Sequence, residues 1–161
     1  MGDVTHPSAI RVIRELRARG VAGPFIEFEA STKTAHDAAT ALGCDVGAIA
    51  SSLVFMLDET PVVVVKSGAF RVDFDQFALV SGGSNVRRAS AEEVRAATGQ
   101  SIGGVSPVGW ARTLRVFIDV SLDSYDQIWA ACGTPHAVFA TTYDELQSLT
   151  DALPIVLSAP Q

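Results

Sequence analysis

Four consecutive valines, Val62-Val63-Val64-Val65, constrain this chain more than any other feature. A strand sends alternate side chains to opposite faces, so an unbroken β-branched run is apolar on both sides and belongs inside a sheet. A second β-rich stretch, residues 52–57, precedes it, and Asp58-Glu59-Thr60 between the two has the length and composition of a hairpin loop. Further strand-like segments at 25–29, 114–118, 127–132 and 137–141 are interspersed with short helices, and several connections are too short for parallel crossovers. The expected fold class is α+β: a mixed, largely antiparallel sheet with surrounding helices.

The helices are marked by their punctuation. Residues 8–19 space Ile10, Ile13 and Leu16 three apart with arginines between them, and Gly20 stops the pattern. Thr34 and Asp37 open a helix over 35–42 that Gly43 closes. Ser90 and Glu93 open another that ends at Gly99, and Thr142 with Glu145 opens a last one to Leu149. A short helix is expected over 73–80. The tail 153–161 carries two prolines and reads as irregular. A length of 161 residues suits one domain, with a core expected over about 8–152.

No apolar run approaches the roughly 20 residues that span a bilayer, and the N-terminus lacks a charged-then-apolar signal pattern, so a soluble, cytoplasmic protein with no membrane partner is expected. The net charge of -6 argues against gripping nucleic acid over many phosphates, but leaves room for contact with one RNA end. Basic residues cluster at Arg11, Arg14, Arg17 and Arg19, at Arg87 and Arg88, and at Arg112 and Arg115; each group is also readable as a solvated face. Cys44 and Cys132 have neither a CxxC pattern nor nearby histidines, which points to two buried, reduced thiols rather than a disulfide or zinc site.

The chemistry concentrates in Gly103-Gly104-Val105-Ser106-Pro107-Val108-Gly109. Glycines let a backbone approach a ligand closely with its N–H groups exposed, and Pro107 stiffens the path. Such a loop can hold a developing oxyanion, hold a terminal phosphate, or serve as a structural turn. It is neither a Walker loop nor a dinucleotide fingerprint. The chain has no Gly-x-Ser-x-Gly elbow and no His-Glu-x-x-His, which disfavours serine and zinc hydrolases. Of the three histidines, His6 is expected in a mobile terminus and His36 lies on the first turn of a helix, where it is solvated or capping. His136, at the start of a strand after Gly133-Thr134-Pro135, is the most site-like, with a structural role equally open.

Thr34-Ala35-His36-Asp37-Ala38-Ala39, Leu42-Gly43-Cys44, Ile49-Ala50-Ser51-Ser52-Leu53-Val54-Phe55, Ser67-Gly68, Arg71-Val72-Asp73, the glycine loop and Val116-Phe117-Ile118-Asp119 together resemble the YbaK/ProX family. The resemblance spans about residues 8–152. That family contains aminoacyl-tRNA deacylases and is similar to the editing domain inserted in bacterial prolyl-tRNA synthetases. The resemblance implies hydrolysis in trans of mischarged tRNA, most plausibly tRNA(Pro) carrying a small amino acid. The expected partners are the aminoacyl-tRNA acceptor end and a synthetase, and no cofactor or metal is expected. It places catalysis on Gly103, Gly104, Ser106 and Pro107, and substrate contacts on Ser51, His136, Phe28 and Gly68. An ester is already activated, so positioning and oxyanion stabilisation suffice without a protein nucleophile.

The sequence departs from the family pattern at three positions. Ser51 stands where many members carry a lysine, and Ala131 and Val138 stand where others carry a serine and an aspartate. A serine offers one neutral donor where an ammonium offers charge and three donors. Either the specificity differs, or catalysis is lost and the domain only binds tRNA or a partner; retention of the whole glycine loop favours the first. Lys66, next to Ser67-Gly68, either supplies the missing charge or snorkels to water.

Overall fold

The computed structural model describes residues 3–30, 34–157 and 159–160. The valine run lies in β3 (Thr60–Ser67), between β2 (Ile49–Leu57) and β6 (Arg115–Asp119). Its alternation divides the core into two layers. Val63 and Val65 pack with Val54, Val116 and Leu16 of α1 (Pro7–Ala18). Val62 and Val64 pack on the other side with Phe55, Phe117 and Phe77 of α3 (Phe74–Ser81). No valine of the four is more than 2% exposed, and each such burial is worth roughly 1.5–3 kcal/mol over an exposed side chain. Phe77 meets Phe117 edge-on with ring centroids 4.9 Å apart, the arrangement that aromatic quadrupoles favour.

The sheet runs in the order β1 (Phe25–Glu27), β8 (Ala137–Thr141), β7 (Ile128–Ala131), β2, β3, β6 and β9 (Leu153–Ile155), and β5 (Val86–Arg88) also pairs with β2. Pairs β1–β8, β7–β8, β2–β3 and β2–β5 are antiparallel. Pairs β2–β7, β3–β6 and β6–β9 are parallel. The mixed sheet expected from the short connections is therefore present. On its outer edge β2 meets β7 only at Ile49 and Ala50 and meets β5 only from Phe55 to Leu57. That leaves residues 51–53 without a neighbouring strand, and this gap positions the site.

Helix starts agree with their punctuation. Thr34 Oγ1 accepts the Asp37 N–H at 3.1 Å to open α2 (Ala35–Leu42). Ser90 and Glu93 form a reciprocal capping box for α4 (Ala91–Thr98). Thr142 Oγ1 accepts the Glu145 N–H at 3.1 Å for α5 (Tyr143–Thr150). Each such cap is worth about 1 kcal/mol.

Several expectations are corrected. The tail is not irregular: β9 lies parallel beside β6 and covers its edge, and β10 (Ala159–Pro160) pairs with β4 (Phe70–Arg71), while positions 158 and 161 lie outside the described residues. Paired edges leave fewer orphan backbone groups, which explains why a proline-bearing tail is recruited. The strand expected over 25–29 stops at Glu27, and β4 and β5 were too short to carry a periodic signal. The hairpin loop has two residues rather than three, because Leu57 pairs directly with Thr60. His6 does not belong to a loose terminus: its Nδ1 accepts the Ser8 N–H at 3.2 Å and caps α1. Cys44 is half-buried rather than buried, whereas Cys132 is buried and its thiol is pushed up by that burial. Among the described residues no helix is long and apolar enough to cross a membrane.

Candidate functional site

The loop that follows α4 faces the gap beside residues 51–53, and its Gly103 and Val105 line a cavity with Ser51, Ser52 and Leu53. Buried polar bonds lock the lower half of this loop. Gln100 Oε1 accepts the Ser106 N–H at 2.8 Å while its Nε2 donates to Val108 O at 3.1 Å. Trp110 Nε1 donates to Ser106 O at 2.9 Å. The Ser106 hydroxyl donates to Val108 O and accepts the Val108 N–H at 3.3 Å, and the residue is fully buried. Ser106 thus acts as a loop brace, with its hydroxyl committed. Pro107 is buried with it.

The two glycines at the crest differ. Gly104 lies against the 134–135 peptide, where an added Cβ would overlap the Thr134 carbonyl carbon and the Pro135 nitrogen. Its own N–H donates to Ser101 O at 3.1 Å, so it is not free to serve an oxyanion. Gly103 has φ +87° with open space around it, and its N–H has no partner among the described residues. That φ is the reason for glycine there.

Two cavities lie side by side here, and the crest lines the smaller of them through Gly103. The smaller, of about 100 Å³, is lined by Gly103, Val105, Ser51, Trp129, Thr134 and Val138, among others. Ala131 lines it too, so the two positions where the resemblance led one to look for a serine and an aspartate form apolar wall instead. The larger is an open cleft of about 900 Å³ that shares Thr34, Ala35, Ser51 and Leu53 with the first. It is charged: Lys66, Arg71 and Arg88 line it together with Asp73 and Asp75, and His36 lines it as well. Asp73 also caps α3, accepting the Gln76 N–H at 3.0 Å.

The expected site residues are brought together only in part. Ser51 lines both cavities, Gly103 the small one and Gly68 the cleft. Gly68 sits where a Cβ would overlap Val46 O, in a turn braced by Ser67, whose hydroxyl donates to Gly47 O at 2.7 Å. Phe28 and His136 line neither cavity. Phe28 is buried, and its N–H donates to His136 O at 2.6 Å, a contact that extends the β1–β8 pairing. Trp129 and Thr134, which sequence reasoning did not single out, do line the small cavity. Nothing local marks them, because strand β7 and the turn before β8 reach the site only through the sheet order.

Lys66 sits directly opposite Ser51 in the β2–β3 ladder. Its ammonium donates to Phe70 O at 2.8 Å and Ser67 O at 3.2 Å. Burial lowers its pKa, Asp119 opposes that change, and Arg88 adds to it. Asp119 is itself buried and accepts the Ser67 N–H and the Ser121 N–H, each at 2.9 Å. Among the described residues no group of three or more His, Cys, Asp and Glu side chains could hold a metal ion.

The profile of the aminoacyl-tRNA editing domain matches residues 29–149. The chain is 34% identical over 125 residues to the uncharacterized protein YwhH of Bacillus subtilis, covering 77% of this chain and 79% of that one. It is 26% identical over 140 residues to EbsC of Enterococcus faecalis, described as a candidate Cys-tRNA(Pro)/Cys-tRNA(Cys) deacylase, covering 79% of this chain and 85% of that one. A crystal structure described as a candidate trans-editing enzyme for prolyl-tRNA synthetase superposes with a TM-score of 0.89 at 42% identity, covering 96% of this chain and 99% of that one.

Proposed function

The chain belongs to the aminoacyl-tRNA editing domain family, and from that membership we propose that it is a deacylase acting in trans on mischarged tRNA(Pro) in the cytoplasm, in the service of a prolyl-tRNA synthetase. The observation that carries the reading is the pairing of the two cavities: a small, mostly apolar chamber lined by Gly103, whose backbone N–H is free, shares the wall of Thr34, Ala35, Ser51 and Leu53 with a charged cleft. The chamber holds the amino-acid side chain, the crest faces the ester carbonyl, and the cleft receives the RNA end. A chamber of about 100 Å³ favours small amino acids over large ones.

Water is the nucleophile in this scheme. Its oxygen bonds to the ester carbonyl carbon, the negative charge on the carbonyl oxygen is met by the Gly103 N–H, and the carbon–oxygen bond to the ribose breaks. The proton lost by the water goes to the ribose oxygen. A serine mechanism has less support: Ser106 is committed inside the loop, and no histidine side chain hydrogen-bonds Ser51 among the described residues. A panel of Ala-, Ser-, Cys- and Pro-tRNA(Pro) with matched non-proline tRNAs tests the proposal. Release of a small amino acid above the spontaneous rate is expected. No release from any member would leave a domain that only binds tRNA or a synthetase.

A further inference from the structure

We propose that Lys66 is the anchor for the last phosphodiester of the acceptor end, placed on the strand opposite Ser51. The inference rests on the deacylase reading for its ligand, and on the β2–β3 ladder for its geometry.

Lys66 is the only lysine among the described residues. Directly opposed residues of an antiparallel pair project from the same face with Cβ atoms roughly 4.5–5.5 Å apart. Ser51 and Lys66 are such a pair, and both line the cleft. Because Ser51 also lines the small chamber, the Lys66 stem rises one cross-strand spacing from the chamber mouth. A phosphate attached to the nucleotide whose ester sits at Gly103 must lie on the cleft side of that mouth.

The state of the ammonium fits an anion ligand. Two of its three donors go to Phe70 O and Ser67 O, which aim the group, and the third has no partner among the described residues. Among the described residues no carboxylate lies at ion-pair distance from it, and Asp119, which opposes the effect of its burial, has an oxygen on each of two backbone N–H groups. A half-buried cation that is neither neutralised nor fully hydrogen-bonded attracts negative charge more strongly than one in water. A snorkelling lysine would instead extend its head to solvent. Arg71 and Arg88 at the rim are exposed, and they are placed to contact phosphates further along the strand.

Binding of an acceptor-end mimic separates this role from turnover. The probe is the trinucleotide CCA carrying alanine through a non-hydrolysable 3′-amide, compared with the same molecule bearing a neutral methylphosphonate at its last linkage. The native protein is expected to bind the charged probe about tenfold tighter, the scale of one hydrogen bond to a charged group. Lys66→Gln should abolish that preference, Lys66→Arg should keep most of it, and the transposed pair Ser51→Lys with Lys66→Ser should restore it. A merely structural lysine would not be rescued from position 51, because the contacts to Phe70 O and Ser67 O belong to the stem at 66. The proposal is overturned if the native protein does not distinguish the probes, if Lys66→Gln still does while keeping its native circular-dichroism spectrum, or if the transposed pair folds without regaining the preference. Loss of turnover in the tRNA panel with this pattern intact would remove the deacylase reading and leave the anchor standing.

Discussion

The small chamber and the open cleft share a wall yet are made of different material. The chamber is walled by strand residues such as Ile49 and Trp129, by Val138 and by the glycine crest, held rigidly by the sheet and by the buried Gln100–Ser106 bonds. The cleft is walled by long charged side chains, several of them exposed. A rigid apolar wall discriminates by volume, and mobile charges discriminate poorly but attract RNA from a distance. Selection of the amino acid and retention of the nucleic acid are thus separated within about one strand's width, and substitutions on the two sides should fail in different ways.

The largest effect is expected where the chamber meets the crest. Gly104→Ala would drive a Cβ into the Thr134 backbone, so the loop must lift and the Gly103 N–H leave its place. Turnover should fall by roughly 10²–10³, the usual loss when one oxyanion donor is misplaced. Stability should also fall by about 1–3 kcal/mol from overpacking. Deacylation rates alongside thermal melts check both, and a folded variant with native turnover would remove the crest from the mechanism. Next comes Ala131→Leu, which fills the chamber from β7. Its kcat/KM should drop by at least roughly 10–200-fold, the factor for a single methylene, because the substitution adds three carbons, and the drop should be greater for Cys- or Ser-tRNA than for Ala-tRNA. Equal losses on all substrates would blur the division between the two cavities.

On the cleft side, Arg88→Ala should raise KM several-fold with kcat unchanged, and lower the salt slope of binding by about 1. A fall in kcat instead would mean that the cleft takes part in chemistry. The smallest effect concerns the exposed cluster behind the rim, where Arg87 bridges Glu59 and Glu93 at 2.9 and 2.8 Å. The Arg87 hydrogen bonds, then the Ser90 N–H, hold the Glu93 carboxyl down to about 2 from its ordinary 4.5. A depressed carboxylate contributes stability that is complete above the ordinary value and is lost as pH falls toward the folded one. Melting temperatures should therefore decline between about pH 4.5 and 2, and Glu93→Gln should flatten that decline slightly. An unaltered acid profile in Glu93→Gln would show the bridge to be fully screened.

Much of the fold was legible because its signals are local. The valine run, the Thr34, Ser90 and Thr142 caps and the glycine stops are each decided within a few residues, and all appear in the structure. The glycine loop was legible as a site for the same reason. Its interior was not: that Ser106 braces and Gly104 seats the loop depends on Gln100, Trp110 and the 134–135 peptide. Phe28 and His136 were expected in the pocket, but the sheet order uses their backbones to pair β1 with β8 and keeps both outside the cavities.

By itself the sequence determined that residues 52–66 form a hairpin with an interior second strand, and that a glycine crest follows α4. Only the tertiary structure decided the register. A three-residue loop would set Leu57 against Pro61 and Ser51 against Ser67; the two-residue turn sets Ser51 against Lys66. That turn holds Asp58 and Glu59 at φ 49° and 65°, a conformation that local preference reserves for Asn-Gly pairs. Distant groups overrule the preference. The Asp58 carboxylate accepts the N–H groups of Ser84 and Asn85, its own N–H donates to Asn85 O, and Glu59 pairs with Arg87. A side-chain period of two makes a one-residue slip reverse the face of every residue it moves. Contacts from residues 84–87 thus put the lysine in the cleft, and no local reading of the hairpin could have done so.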